Sequence, residues 1–142
     1  MRYLLDTNIF IYLCKGTHPQ IADQVRKHGP GDIVISSITL AELEFGISKS
    51  AKPEKNRRVF QEFLLPFDIW PFDAAAAVEY GVVRHHLEKA GVPIGPMDML
   101  IAAHALALGV CLVTNNEKEF SRVPGLKIEN WSKTAKKGEL KR

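Results

Sequence analysis

Cysteine is scarce in this chain: its 142 residues include two, Cys14 and Cys111. Each lies in an apolar stretch with no second cysteine or histidine at zinc-ligand spacing, which argues against a disulfide scaffold and a zinc site alike. The simplest reading is a pair of buried thiols in a reducing compartment. Long apolar runs are lacking too. No stretch approaches the roughly 18 apolar residues of a bilayer span, and "IFIYLC" is too short, and too close behind Asp6, to be the core of a secretory signal. A cytoplasmic address follows by elimination. Neither sign of charge dominates, since 19 basic and 16 acidic side chains leave a net +3. An apolar fraction of 46% beside 25% charged residues is ordinary for a globular domain and excludes wholesale disorder.

What the chain does have is alternation. Short β-rich runs, "RYLLD" (2–6), "DIVISS" (32–37), "FDIWPF" (67–72), "VCLVT" (110–114) and a weaker "LKIENW" (126–131), are separated by longer helical patterns that end in glycine or are bounded by proline. This predicts an α/β domain with a mostly parallel central sheet and helices on both faces. One domain is expected over residues 1–132, with no repeat or linker inside it. Residues 133–142, "KTAKKGELKR", have no apolar periodicity and five basic side chains, and read as a basic, mobile tail.

In such a sheet, ligands bind beyond the carboxyl ends of the strands, where helix N-termini also point. Four acids fall there. Asp6 interrupts the apolar start "MRYLLDTNIFIYL" at the end of the first strand. Glu42 lies one turn into the helix after the second strand, in "SSITLAELEFG", where Ser36, Ser37 or Thr39 can cap. Asp98 falls in the first turn behind Pro96 in "GPMDMLIAAHA", and "VTNNEKEF" places Asn116 and Glu119 just after the fourth strand. Singly, each has a structural reading: a cap, a dipole partner or a solvated charge. Jointly, carboxylates brought to one edge repel, and some must protonate unless a cation neutralises them. Oxygen-only ligands without histidine or cysteine suit Mg²⁺ or Mn²⁺, ions that activate water for phosphodiester cleavage. Asp6 is then a ligand on a rigid strand end, and Thr7 and Asn8 begin a helix from which they can orient it; Thr114, closing the fourth strand, is a third orienting candidate.

These motifs, "DTN", "TLAELEFG", "PIGPMDMLIAAHA" and "LVTNNEKEF" in that order, resemble those of the VapC-type toxins of the PIN-domain ribonucleases, the toxin half of bacterial type II toxin–antitoxin pairs. The resemblance runs from Arg2 to about Trp131. It implies a PIN-like fold and an Mg²⁺-dependent endoribonuclease whose catalytic acids correspond to Asp6, Glu42 and Asp98, with the metal on Asp6 and Asp98. A further acid or amide after the fourth strand is implied as well, and Asn116 and Glu119 both fall there. It also implies a VapB-type antitoxin that blocks the site in a heteromeric complex, a toxin homodimer, and structured RNA, plausibly tRNA, as substrate.

A haloacid-dehalogenase-like phosphatase needs a second Asp where Asn8 stands, and a receiver domain needs an acid closing "DIVISS" and a lysine after "VCLVTNN". The rival from another class is a catalytically inert PIN-fold module that binds RNA or protein. His104 reads first as a core histidine, His85 and His86 as a solvated face, Trp70 and Trp131 as packing, and "KPEKNRR" as either a solvated helix start or a phosphate contact. Setting the four site acids aside leaves 12 acids against 19 bases, a basic surround that suits a phosphodiester substrate.

Overall fold

Within the central strands, successive residues divide between two apolar cores, one on either face of the sheet. The computed structural model describes residues 1–133. Among them, β1 (Tyr3–Leu5), β2 (Ile33–Ser36), β3 (Asp68–Trp70), β4 (Cys111–Val113) and β5 (Ile128–Glu129) form one sheet in the order β3-β2-β1-β4-β5, every pair parallel. Leu4, Val34 and Leu112 join one core, and Leu5, Ile33, Ile35 and Val113 the other, as a period of two requires of strands covered on both faces. The "mostly parallel" expectation is thus met throughout the described sheet.

The helices are α1 (Thr7–Lys15), α2 (Pro19–Arg26), α3 (Ser37–Ser48), α4 (Pro53–Leu64), α5 (Ala74–Lys89), α6 (Pro96–Leu108) and the one-turn α7 (Glu117–Phe120). Proline opens α2, α4 and α6, where the missing N–H costs nothing. Gly16 and Gly109 end α1 and α6 in the left-handed region, each at φ 67°, returning backbone N–H groups to the last carbonyls. Ile9, Phe10, Ile21 and Leu43 fill one core; Val83, Leu87, Ile101 and Ala105 fill the other. Cys14 and Cys111 are free, and burial pushes their thiols up to about 12 and about 11 respectively, so neither is a reactive thiolate. Beyond Lys133 the expected basic tail lies outside the described residues.

The strand order fixes where a ligand can enter. From β1 the chain steps outward through β2 to β3, then returns to β4 on the other flank of β1. The order therefore reverses between β1 and β4, and the crevice opens at their carboxyl ends.

One buried polar contact ties the two faces together at this edge. Ser36 closes β2 and caps α3: its hydroxyl accepts the Ile38 N–H at 3.0 Å and lies 2.7 Å from His104 Nδ1 on α6. The hydroxyl keeps a second lone pair and its own hydrogen, so the Ser36–His104 contact satisfies Nδ1 in either tautomer of the ring. Nε2 faces the Pro71 carbonyl without a well-formed bond, and burial holds the ring below its ordinary pKa. The core reading of His104 holds; it is fully buried. Ser36→Ala removes the cap and strands Nδ1, so an unfolding free energy lower by about 2 kcal/mol is expected, seen as a lower urea midpoint at unchanged slope.

Candidate active site

Asp6 follows β1 directly and is the N-cap of α1. Its Oδ1 accepts the Thr7 backbone N–H at 2.8 Å, and its Oδ2 accepts the Thr114 hydroxyl at 2.9 Å from the end of β4. The opening "LLDTN" is therefore both a cap and a carboxylate aimed at the crevice. Only 5% of Asp6 is exposed. Burial raises its pKa, the Thr114 and Thr7 hydrogen bonds oppose that rise, and the nearby Glu42 charge adds to it.

On one flank of Asp6 lies a connected set. Thr114, fully buried, donates to Asp6 and accepts the Asn116 N–H at 3.0 Å. The Asn116 amide donates to Glu119 Oε2 at 3.0 Å, and it also holds the pKa of Asp98 partly down. Asn116 and Glu119 thus differ: the neutral amide tempers the acids beside it, and Glu119, on α7, carries a charge. On the other flank, the Thr7 hydroxyl turns away from Asp6 and lies 2.6 Å from Glu42 Oε1. The orienting role expected of Thr7 towards Asp6 is supplied by its backbone, and its side chain serves Glu42. Asn8 is exposed at the start of α1.

Asp98, in the first turn of α6, feels all the others. Its pKa is raised to about 6, first by burial and then by the charges of Asp6, Glu119 and Glu42, while the Asn116 amide holds it partly down. The parallel topology places the other three acids near enough for Asp98 to feel their charges. Among the described residues no three of these groups stand close enough to form a ready-made ligand set. The donor chemistry still fits a hard divalent ion that keeps several waters and takes one or two carboxylates, and the crowding at Asp98 supplies the reason to bind one.

Other residues fall where their plainer readings put them. His85 and His86 are exposed on α5, and Trp131 packs in the core beside Tyr3 and His28. In "KPEKNRR", Arg57 pairs with Glu44 at 2.9 Å and Glu54 at 3.5 Å, while Lys52, Lys55 and Arg58 remain exposed. Two features escaped sequence reasoning. One is helix α7, although two acids at the start of "NEKEF" are a first-turn signal. The other is the contact of Thr39 with Thr7, to which the i, i+3 spacing of Thr39 and Glu42 on a helix pointed.

A parallel α/β sheet with acids at its switch-point edge, of the oxygen-donor chemistry that suits a hard cation, is the layout of an α/β nuclease. The family model described as "PIN domain" matches residues 3–126. The chain is 42% identical over 132 residues to the tRNA(fMet)-specific endonuclease VapC of Shigella flexneri, covering 93% of this chain and 99% of that one. It is 45% identical to the ribonuclease VapC2 of Rickettsia felis, covering 94% and 100%. Among solved structures, VapBC2 from Rickettsia felis bound to a DNA fragment from its promoter matches with a TM-score of 0.86 at 43% identity, covering 92% and 99%. The chain belongs to the PIN domain family and, within it, to the VapC ribonucleases.

The crowding at Asp98 gives a signed prediction. Its folded pKa of about 6 lies above the unfolded value of 3.8, so the folded state holds the proton longer. Its contribution to stability is full below 3.8 and is lost as pH rises through 6. Without metal, Asp98→Asn is expected to melt higher than wild type above pH 6, with the gap closing towards pH 4 and on addition of divalent cation. Thermal melts at several pH values, with and without EDTA, check this.

Proposed function

We propose that this chain is the toxin of a type II toxin–antitoxin pair, an endoribonuclease that hydrolyses phosphodiester bonds of structured RNA with Mg²⁺ or Mn²⁺, and that tRNA is its substrate class. The observation that carries this reading is that Asp98, its pKa raised first by burial, is raised further by the charges of Asp6, Glu119 and Glu42. The activities for which the Shigella flexneri and Rickettsia felis relatives are named supply RNA and, in the first case, tRNA. Asp6 and Asp98 hold the ion, with Glu119, bonded to the Asn116 amide, completing the charge. A divalent cation bound there supplies charge neutralisation and water activation. Glu42, outside the Asp6–Asp98 pair, orients the attacking water. The catalytic unit of this proposal is a single domain over 1–132. A cytoplasmic address belongs to the same reading, supported by two free thiols and an RNA substrate; no described helix is long and apolar enough to cross a membrane.

The partner is a VapB-type antitoxin, as in the VapBC complexes this fold matches. A groove of about 240 Å³ begins at Glu42 and runs between α1, α3 and α4, walled by Ile11, Leu43, Ile47 and Phe60. Leu43 and Ile47 belong chiefly to the core, whereas Phe45 and Leu65 are 66% and 83% exposed on the helices beside it. An amphipathic antitoxin segment laid there brings its basic side chains to the acidic crevice. On α5, Val78 and Val82 are exposed one turn apart, 68% and 62%, a face suited to a second copy of the toxin.

Asp6→Asn and Asp98→Asn are each expected to lower cleavage of tRNA at least 100-fold while the protein stays folded, and EDTA is expected to abolish wild-type cleavage until Mg²⁺ or Mn²⁺ is restored. Near-normal turnover of either variant at saturating metal removes that residue from the ligand set, and EDTA-resistant cleavage removes the metal itself. For the partner, calorimetry of toxin with the C-terminal peptide of its antitoxin is expected to show weaker binding at high Mg²⁺. Inhibition with metal-independent affinity places the block away from the crevice.

A further inference from the structure

Glu42 is the acid of the site set deepest into a helix, with no cap and no strand end to hold it. What holds it is a pair of hydroxyls. Thr7 Oγ1 lies 2.6 Å from Glu42 Oε1 and 3.0 Å from Thr39 Oγ1. Thr39 is completely buried and Thr7 is 7% exposed, so both hydroxyls lie beyond the reach of bulk water.

The direction of the bonds follows from counting protons. A carboxylate only accepts, and each threonine hydroxyl has one hydrogen. Thr7 must therefore give its hydrogen to Glu42, and the 3.0 Å contact can form only if Thr39 gives its hydrogen to Thr7. The order is Thr39 to Thr7 to Glu42, in which each bond polarises the next. Thr39 and Glu42 lie i, i+3 on α3, stacked on one face, while Thr7 is the first residue of α1, directly after Asp6. The relay therefore links the helix that starts at Asp6 to the helix that carries Glu42. It fixes Oε1 on Thr7 and leaves Oε2 outside the relay.

We propose that Thr39 is a positioning residue for Glu42, acting through the Thr7 hydroxyl, and that this two-hydroxyl relay holds the Glu42 carboxylate in one orientation relative to Asp6. The catalytic consequence rests on the nuclease reading above; the geometric one does not. Plain core packing accounts for a buried threonine at position 39, but it does not require the hydroxyl, since valine fills the same volume.

The test uses the full chain with Thr39→Val, Thr7→Val and Thr39→Ser. In the metal-free protein, side-chain couplings measured by NMR are expected to show one Glu42 rotamer in wild type and Thr39→Ser, and averaged rotamers in both valine variants. In cleavage assays at saturating Mg²⁺, Thr7→Val is expected to lower kcat about tenfold, the effect of one charge-assisted hydrogen bond. Thr39→Val should lower it several-fold, and Thr39→Ser should restore it, with KM and Mg²⁺ affinity unmoved. In a Glu42→Gln background Thr39→Val should cost nothing further. An equal loss in that background, or a single Glu42 rotamer surviving both valine substitutions, overturns the relay. A wild type that cleaves no RNA while its Glu42 rotamer still depends on Thr39 overturns the nuclease reading and leaves the relay standing.

Discussion

Repulsion among carboxylates is the constraint around which the rest of this molecule is arranged. Left to relax, four acids would separate into water, or one would take up a proton; Asp98, with its pKa lifted to about 6, is already part of the way there. They stay together because each is fastened to an element whose position is set elsewhere. Asp6 is held from two sides, by the first N–H of its own helix and by Thr114 on the neighbouring strand. Glu119 is tied through Asn116 to the same threonine, and Glu42 to Thr7. The strands that present these groups are sandwiched between two apolar cores, which supply the stability against which the strain at the edge is held.

The sheet and its helices were legible because their signals are local: runs of β-branched residues, proline at helix starts, glycine at helix ends. Each strand is shorter than expected by one or two residues at either end; Asp6 and Thr114, just past β1 and β4, still give their backbone N–H to the neighbouring strand while their side chains serve the site. The acids were legible for a different reason. In a parallel sheet, "after a strand" and "first turn of a helix" name the same edge, so the positions of Asp6, Glu42 and Asp98 along the chain imply their meeting. What could not be read was the wiring between them. Hydroxyl and amide side chains have short reach and many possible partners, and whether Thr7 serves Asp6 or Glu42 depends on a side-chain rotation that no spacing rule fixes. The division of labour between Asn116 and Glu119 was closed for the same reason, and the one-turn α7 that separates them is too short to leave a periodic signal.

On the proposed function, acids gathered at one edge of a basic protein let one site meet two opposed partners. Without a cation the crevice repels a phosphodiester, and the surplus of bases over acids elsewhere on the chain draws RNA to the surface without seating it. Neutralising the carboxylates removes the local repulsion and lets the scissile phosphate approach, so productive RNA binding is coupled to metal binding by linkage. A basic antitoxin side chain exploits the opposite state. It is attracted most strongly where the cation is missing, and by filling the crevice it leaves the charges satisfied but provides no Lewis acid. Cation and antitoxin thus compete for the same repulsion energy. In the proposed reading that competition requires only the acids at the carboxyl ends of β1 and β4, whose charges either partner neutralises.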